Sequence, residues 1–193
     1  MSKVEGNKNA LRVTCHCLKQ AVDVTITRLT WRGASSALGY KDLTEALGRI
    51  SCPALTHLSC RCMRLLTSLS GCPPGLQSLD CSSTQVTSLA GCPPGLQDLD
   101  CSCTKMDSLA GCPPSLRSLN CNDNDVGTLE ALAVCAELEE LECDNSTVTS
   151  LAALAGCPKL NLLTMCGTRV DDLTPLAGHE ELSWYVRHAA VWC

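Results

Sequence analysis

Phenylalanine is absent from the 193 residues, and the only aromatics are three Trp and two Tyr. A globular core of this length normally draws on aromatic bulk. A chain almost without it must bury thin aliphatic layers instead. No apolar run approaches the ~20 residues needed to span a bilayer. The opening MSKVEGNKNALRV lacks the apolar stretch of an export signal. Cytoplasmic placement is therefore the expectation, with no membrane association. The seventeen cysteines, an odd number, then read as reduced thiols rather than a disulfide framework. Also missing are the phosphate-cradling G-x-x-x-x-G-K-S/T run, G-x-S-x-G and H-E-x-x-H. The four His (His16, His57, His179, His188) show no spacing that pairs one with a nucleophile and an acid. No catalytic activity, cofactor or small-molecule substrate is expected.

What the chain does have is a repeat. Residues 76–95 read LQSLDCSSTQVTSLAGCPPG and 96–115 read LQDLDCSCTKMDSLAGCPPS. Three units of twenty-two residues follow, at 116–137, 138–159 and 160–181. Upstream, 55–75 is the same unit with one residue inserted, and a degenerate coil starts near Ile26 and includes Leu29 and Trp31. The shared pattern is L-x-x-L-x-C-x-x-(T/N/S)-x-V-x-x-L. Its first half alternates as a strand does, with Leu79 and Cys81 on one side and Ser78, Asp80 and Ser82 on the other. One strand per repeat, always in the same direction, predicts a parallel sheet whose coils bury their Leu, Cys and Val only by stacking. Seven coils at the strand spacing make a sheet roughly 30 Å long. Gly-Cys-Pro-Pro on the return side of the short coils predicts extended backbone. The longer coils, with Leu-Glu-Ala-Leu-Ala-Val-Cys and its relatives there, predict 3-10 turns.

This pattern resembles the leucine-rich-repeat family. The period of twenty is similar to the short repeats of bacterial effector proteins, the period of twenty-two to the phosphatase-regulator type, and cysteine-bearing repeats of this kind occur in flagellate protists. The resemblance covers residues 26–181. It implies an α/β solenoid: a leucine-rich-repeat horseshoe with one parallel strand per coil and a mostly extended or 3-10 convex side. Residues 1–25 are expected to cap its N-terminal end, and 182–193, with Trp184, Tyr185 and Trp192, its C-terminal end. The repeat is specific for fold and uninformative about partner. Two positions depart from the family. Cys60, Cys81, Cys101, Cys121 and Cys143 stand where Leu is common. Thr84, Thr104, Asn124, Ser146 and Thr168 stand where the family carries a ladder of Asn, and a hydroxyl can do part of that work.

Eleven cysteines occupy repeat positions: those five in the strands, and Cys52, Cys72, Cys92, Cys112, Cys135 and Cys157 on the return side. They read as small buried hydrophobes. A metal or redox role is the third reading of the protein. It would rest on Cys15-His16-Cys17, Cys60 with Cys62, and Cys101 with Cys103. The C-x-C spacing lies below the two-to-four-residue intervals of zinc sites, so no metal is expected.

Charge is divided along the chain. Residues 1–70 carry ten Lys/Arg against four Asp/Glu, a net of +6; residues 71–193 carry five against sixteen, a net of −11. The acidic part argues against nucleic-acid binding. The outward strand positions inherit this gradient. Arg28, Arg32, His57 and Arg61 open the series; Asp80, Asp98, Asp100, Asn120, Glu140, Glu142 and Asp144 continue it. These are the candidate partner-binding residues on the concave sheet. The expected function is a non-catalytic protein-interaction module or a subunit of a larger assembly. The alternative is a substrate-recognition or regulatory subunit of an enzyme such as a phosphatase or ubiquitin ligase.

Overall fold

A computed structural model describes residues 10–13, 27–31, 40–47 and 53–185. Nine strands form one sheet in strict chain order, every neighbour parallel. They are β1 (Ala10–Val13), β2 (Arg28–Trp31), β3 (His57–Ser59), β4 (Ser78–Asp80), β5 (Asp98–Asp100), β6 (Ser118–Asn120), β7 (Glu140–Glu142), β8 (Leu162–Thr164) and β9 (Ser183–Tyr185). Strands β2 to β8 are the seven repeats; β1 and β9 extend the sheet beyond them at either end.

Most strands are only three residues long, so none could stand alone. The register compensates. Leu29, Leu58, Leu79, Leu99, Leu119, Leu141 and Leu163 form one buried row across the sheet. A second row, Leu55, Leu76, Leu96, Leu116, Leu138 and Leu160, lies three residues upstream. Each such Leu is worth ~1.5–3 kcal/mol when buried, but only because the next coil covers it. The third row is the cysteines at 60, 81, 101, 121 and 143, all fully enclosed, with Met165 in the last coil.

Backbone bonds between coils continue past the strands. Cys81 N donates to Asp100 O at 2.8 Å, and Ser83 N to Ser102 O at 2.9 Å. To present that second N–H, the residue three beyond the strand turns left-handed. Cys62, Ser83, Cys103, Asp123 and Asn145 have φ of 52–63°, and Gly167 has 73°. Five residues with a Cβ thus accept a conformation that disfavours one.

The polar ladder is built as its residues allow. The hydroxyls of Thr84, Ser146 and Thr168 donate to the carbonyl three residues back, at 2.7–2.8 Å. Asn124 does more: its Nδ2 reaches Cys101 O in the preceding coil at 2.9 Å, and its Oδ1 accepts from Thr104 Oγ1 and Met106 N. In the 55–75 coil buried Met63 stands at this position, and the inserted residue follows it, before Leu66.

The return side follows the two repeat lengths. The Gly-Cys-Pro-Pro segments are non-helical turns, and the longer coils carry 3-10 turns at Glu130–Val134, Ala152–Gly156 and Thr174–Leu176. The repeat pattern does not anticipate α1 (Leu43–Leu47), a single α-helical turn. Its start has a capping arrangement, with Asp42 Oδ1 accepting from Glu45 N at 2.7 Å and Glu45 Oε2 from Lys41 N.

Two glycines in one return segment give a test. Gly91 has φ of 98°, and a Cβ there would lie 2.9 Å from the carbonyl of Leu69 in the previous coil. Gly95 has nothing within 4 Å of a built Cβ. Gly91→Ala is expected to cost at least ~1–2 kcal/mol, and Gly95→Ala to be neutral or stabilising by up to ~1 kcal/mol. Urea unfolding of the two variants measures the contrast; equal midpoints would contradict this stacking of coils.

Candidate functional site

The exposed face of the sheet presents two side-chain columns. The first strand position runs Arg28, His57, Ser78, Asp98, Ser118, Glu140, Leu162. The third runs Thr30, Ser59, Asp80, Asp100, Asn120, Glu142, Thr164. Arg61 and Asp144 sit in the loops after β3 and β7. Arg32 lies outside the described residues, as do Cys15, His16, Cys17 and Trp192.

Hydrogen bonding separates these residues into two kinds. Asp80 Oδ1 accepts from the Ser82 amide at 3.1 Å and its hydroxyl at 2.6 Å, while Oδ2 accepts from Ser59 Oγ at 2.9 Å. Asp100 binds Ser102 in the same way. Asn120 accepts from the Asn122 amide, and both asparagines donate from Nδ2 to Glu142 Oε2 at 3.0–3.1 Å. Asp144 Oδ1 takes the Cys166 amide at 2.6 Å. These side chains close the turn that ends each strand. Ser82, expected to face the partner, is buried beneath Asp80 instead. The reason is that the strand stops at Asp80, so alternation no longer governs the residue two further on. The signal was present in sequence as D-C-S and N-C-N, an Asx residue two before a turn amide.

Arg28, Arg61 and Asp98 are exposed and make no hydrogen bond or ion pair among the described residues. Glu140 is exposed and accepts one bond, from Ser118 Oγ at 3.2 Å. His57 is half-buried, with Nδ1 2.9 Å from Thr56 Oγ1. Burial, then the Arg28 charge, hold its pKa below the ordinary 6.5, against an opposing pull from Asp98.

The cysteines form no metal cluster among the described residues. Cys60 and Cys101 are enclosed in the core, while Cys62 and Cys103 are exposed. Cys62 and Cys103 lie beyond the strand end, where the left-handed turn carries the second sulfur of each C-x-C pair away from the first. Four strand thiols, at 60, 101, 121 and 143, donate to the next coil's carbonyl at 3.2–3.3 Å. Burial pushes the thiols up from the ordinary 9.0, to about 12 at Cys72, Cys92 and Cys121, and well above 9.0 at Cys81, Cys101 and Cys143.

No family model matches this sequence, and no curated protein matches it. Solved structures do. The internalin InlF of Listeria monocytogenes aligns with a TM-score of 0.68 at 17% identity, over 83% of this chain and 47% of that one. InlJ of the same bacterium, whose functional domain includes a cysteine ladder, aligns at 0.63 and 20% identity, over 92% and 43%. TLR13, solved in complex with single-stranded RNA, aligns at 0.65 and 13%, over 95% and 33%. The chain has the leucine-rich-repeat fold. It spans less than half the length of each of these three leucine-rich-repeat neighbours. No helix among the described residues is long and apolar enough to cross a membrane.

Two outcomes follow from the site. Asp80→Ala strands the buried Ser82 amide and is expected to cost ~1–3 kcal/mol, whereas Asp98→Ala is expected to stay within ~0.5 kcal/mol; chemical denaturation compares them. The thiols set a pH dependence. Their folded pKa values lie above the unfolded 9.0, so the protonated fold is fully favoured below pH 9 and loses stability as pH rises toward 12. Each such thiol adds a slope of at most ~1.4 kcal/mol per pH unit. Urea midpoints should fall steadily from pH 8.5 to pH 11; a flat profile would show that the thiols ionise in place.

Proposed function

We propose that this chain is a non-catalytic protein-interaction module or assembly subunit, and that its partner docks on the exposed sheet face. One observation carries the reading. Of the charged side chains on that face, Asp80 and Asp100 are committed to turn hydrogen bonds and Glu142 to the asparagines of its neighbour, while among the described residues Arg28, Arg61 and Asp98 make no hydrogen bond or ion pair and Glu140 bonds only a serine. Charges kept unpaired on a rigid sheet suit recognition, because their geometry is fixed before binding. They run from basic to acidic, which fits a partner with the opposite gradient. His57, Asp80, Asp100, Asn120, Glu142 and Asp144 form the floor of the surface rather than its contacts.

The fold alone does not choose the class of ligand, since one neighbour was solved with RNA. The charge on this face favours protein: its longer part is acidic, and a phosphate backbone would meet Asp98, Asp100, Glu140 and Glu142. A reducing compartment such as the cytoplasm fits the thiols that donate to carbonyls instead of pairing.

The test is affinity capture with the wild type and with a variant carrying Arg28→Glu, Arg61→Glu, Asp98→Lys and Glu140→Lys, both checked for folding by circular dichroism. A partner held by the wild type should dissociate progressively with added salt and be lost by the folded variant. A folded variant that keeps every partner moves the working surface off the sheet. The identity of the captured protein separates an assembly component from an enzyme whose regulatory subunit this would be.

A further inference from the structure

The return-side cysteines differ in depth. Cys72 and Cys92 are half-buried, while Cys112, Cys135 and Cys157 are buried. Two of them touch: Cys112 Sγ lies 3.9 Å from Cys135 Sγ. Cys157 Sγ instead donates to Leu132 O at 3.3 Å, and four of the five strand thiols are aimed at carbonyls as described. The contact falls where the solenoid changes type. Cys112 belongs to the last Gly-Cys-Pro-Pro turn, and Cys135 caps the first 3-10 turn, Glu130–Val134. Cys135 Sγ also lies 3.5 Å from Pro113 O, beside its partner cysteine.

We propose that Cys112 and Cys135 are an oxidisable pair, closing to a disulfide between adjacent coils when the folded protein meets hydrogen peroxide. The chemistry balances with that oxidant. One thiol loses its proton and its sulfur attacks the O–O bond, giving a sulfenic acid and one water. The second sulfur displaces the hydroxyl, forming the S–S bond and releasing a second water. Two thiols are oxidised and one peroxide is reduced. The sulfurs must approach by ~2 Å to reach bonding distance, a closure between the two return segments. Cys135 Sγ donates to Pro113 O, which leaves the Cys112 S–H to point at Cys135 Sγ; that bond and burial keep Cys112 protonated. The site lies across the core from the proposed docking face and is independent of it.

The experiment oxidises the full chain with hydrogen peroxide under native conditions. Free thiols are then alkylated in denaturant, and the digest is analysed without reductant by mass spectrometry. The expected result is a linked peptide joining Cys112 to Cys135 that accumulates ahead of any other pair, absent from Cys112→Ala and Cys135→Ala. A parallel oxidation in urea should lose this selectivity, and the oxidised native chain should unfold at higher urea than the reduced one. The proposal is overturned if both cysteines are recovered alkylated while others are oxidised, or if Cys72–Cys92 forms first. It is equally overturned if native and unfolded chains give the same pairing. Should either variant fail to fold, the wild-type linkage map still decides.

Discussion

The backbone ladder between coils is the constraint on which everything else rests. A three-residue strand satisfies few of its own amides, and leaving buried ones unpaired costs ~1–3 kcal/mol each. The ladder therefore runs on through the cysteine position and the left-handed residue beyond it, as from Cys101 to Asn120 O and from Cys103 to Asn122 O. Holding that course fixes the positions of all the rows at once. The leucines stack because the carbonyls do, and a coil cannot shift register without turning its Leu row outward.

This constraint also selects which polar residues are free. Ending each strand after three residues leaves an amide at Ser82, Ser102 or Asn122 that points back toward the sheet face. The carboxylates and amides of Asp80, Asp100 and Asn120 take those protons. In the next coil a Glu replaces the Asx, and its longer side chain spans two asparagines of its neighbour instead. What remains for a partner is the first column and the edge of the loops. The surface is thus narrower than its charge count suggests, and more rigid, because its floor is hydrogen-bonded from coil to coil.

Much of this was legible in the chain itself. A period of twenty to twenty-two residues set the strands at Ser78, Asp98, Ser118 and Glu140, their parallel order, the Leu rows and the change from Pro-Pro to 3-10 return segments. Thr84 and Ser146 perform part of the expected ladder. The strand ends were not legible. Alternation through Leu79, Cys81 and Ser83 looks unbroken, and nothing in S-S-T or S-C-T announces a left-handed residue, although Asp123, Asn145 and Gly167 at the same position are of types that favour one. Because the strand stops at Asp80, Ser82 does not share the outward face that alternation gives it. The site was read as one list of charges, because whether a carboxylate is spent on a turn depends on the amide beside it.

Cysteine in the strand column solves a problem leucine could not. In four coils the backbone amide and the thiol of one residue both reach the same carbonyl of the next coil: Cys60 to Asp80, Cys101 to Asn120, Cys121 to Glu142 and Cys143 to Thr164. A carbonyl oxygen has two lone pairs, and the sulfur occupies the second without adding bulk to the row. The S–H bond is weak, yet it recurs in register and keeps each sulfur turned away from the next. That orientation is what makes the strand thiols inert: aimed at oxygen, they neither meet one another nor leave the core. On the return side the Cys135 sulfur reaches Pro113 O only at 3.5 Å, and no carbonyl separates it from Cys112, so among the described residues these two sulfurs come within contact. The same residue thus serves as a second ladder donor in one column and as a reactive neighbour in the other, with the difference decided by what each sulfur faces.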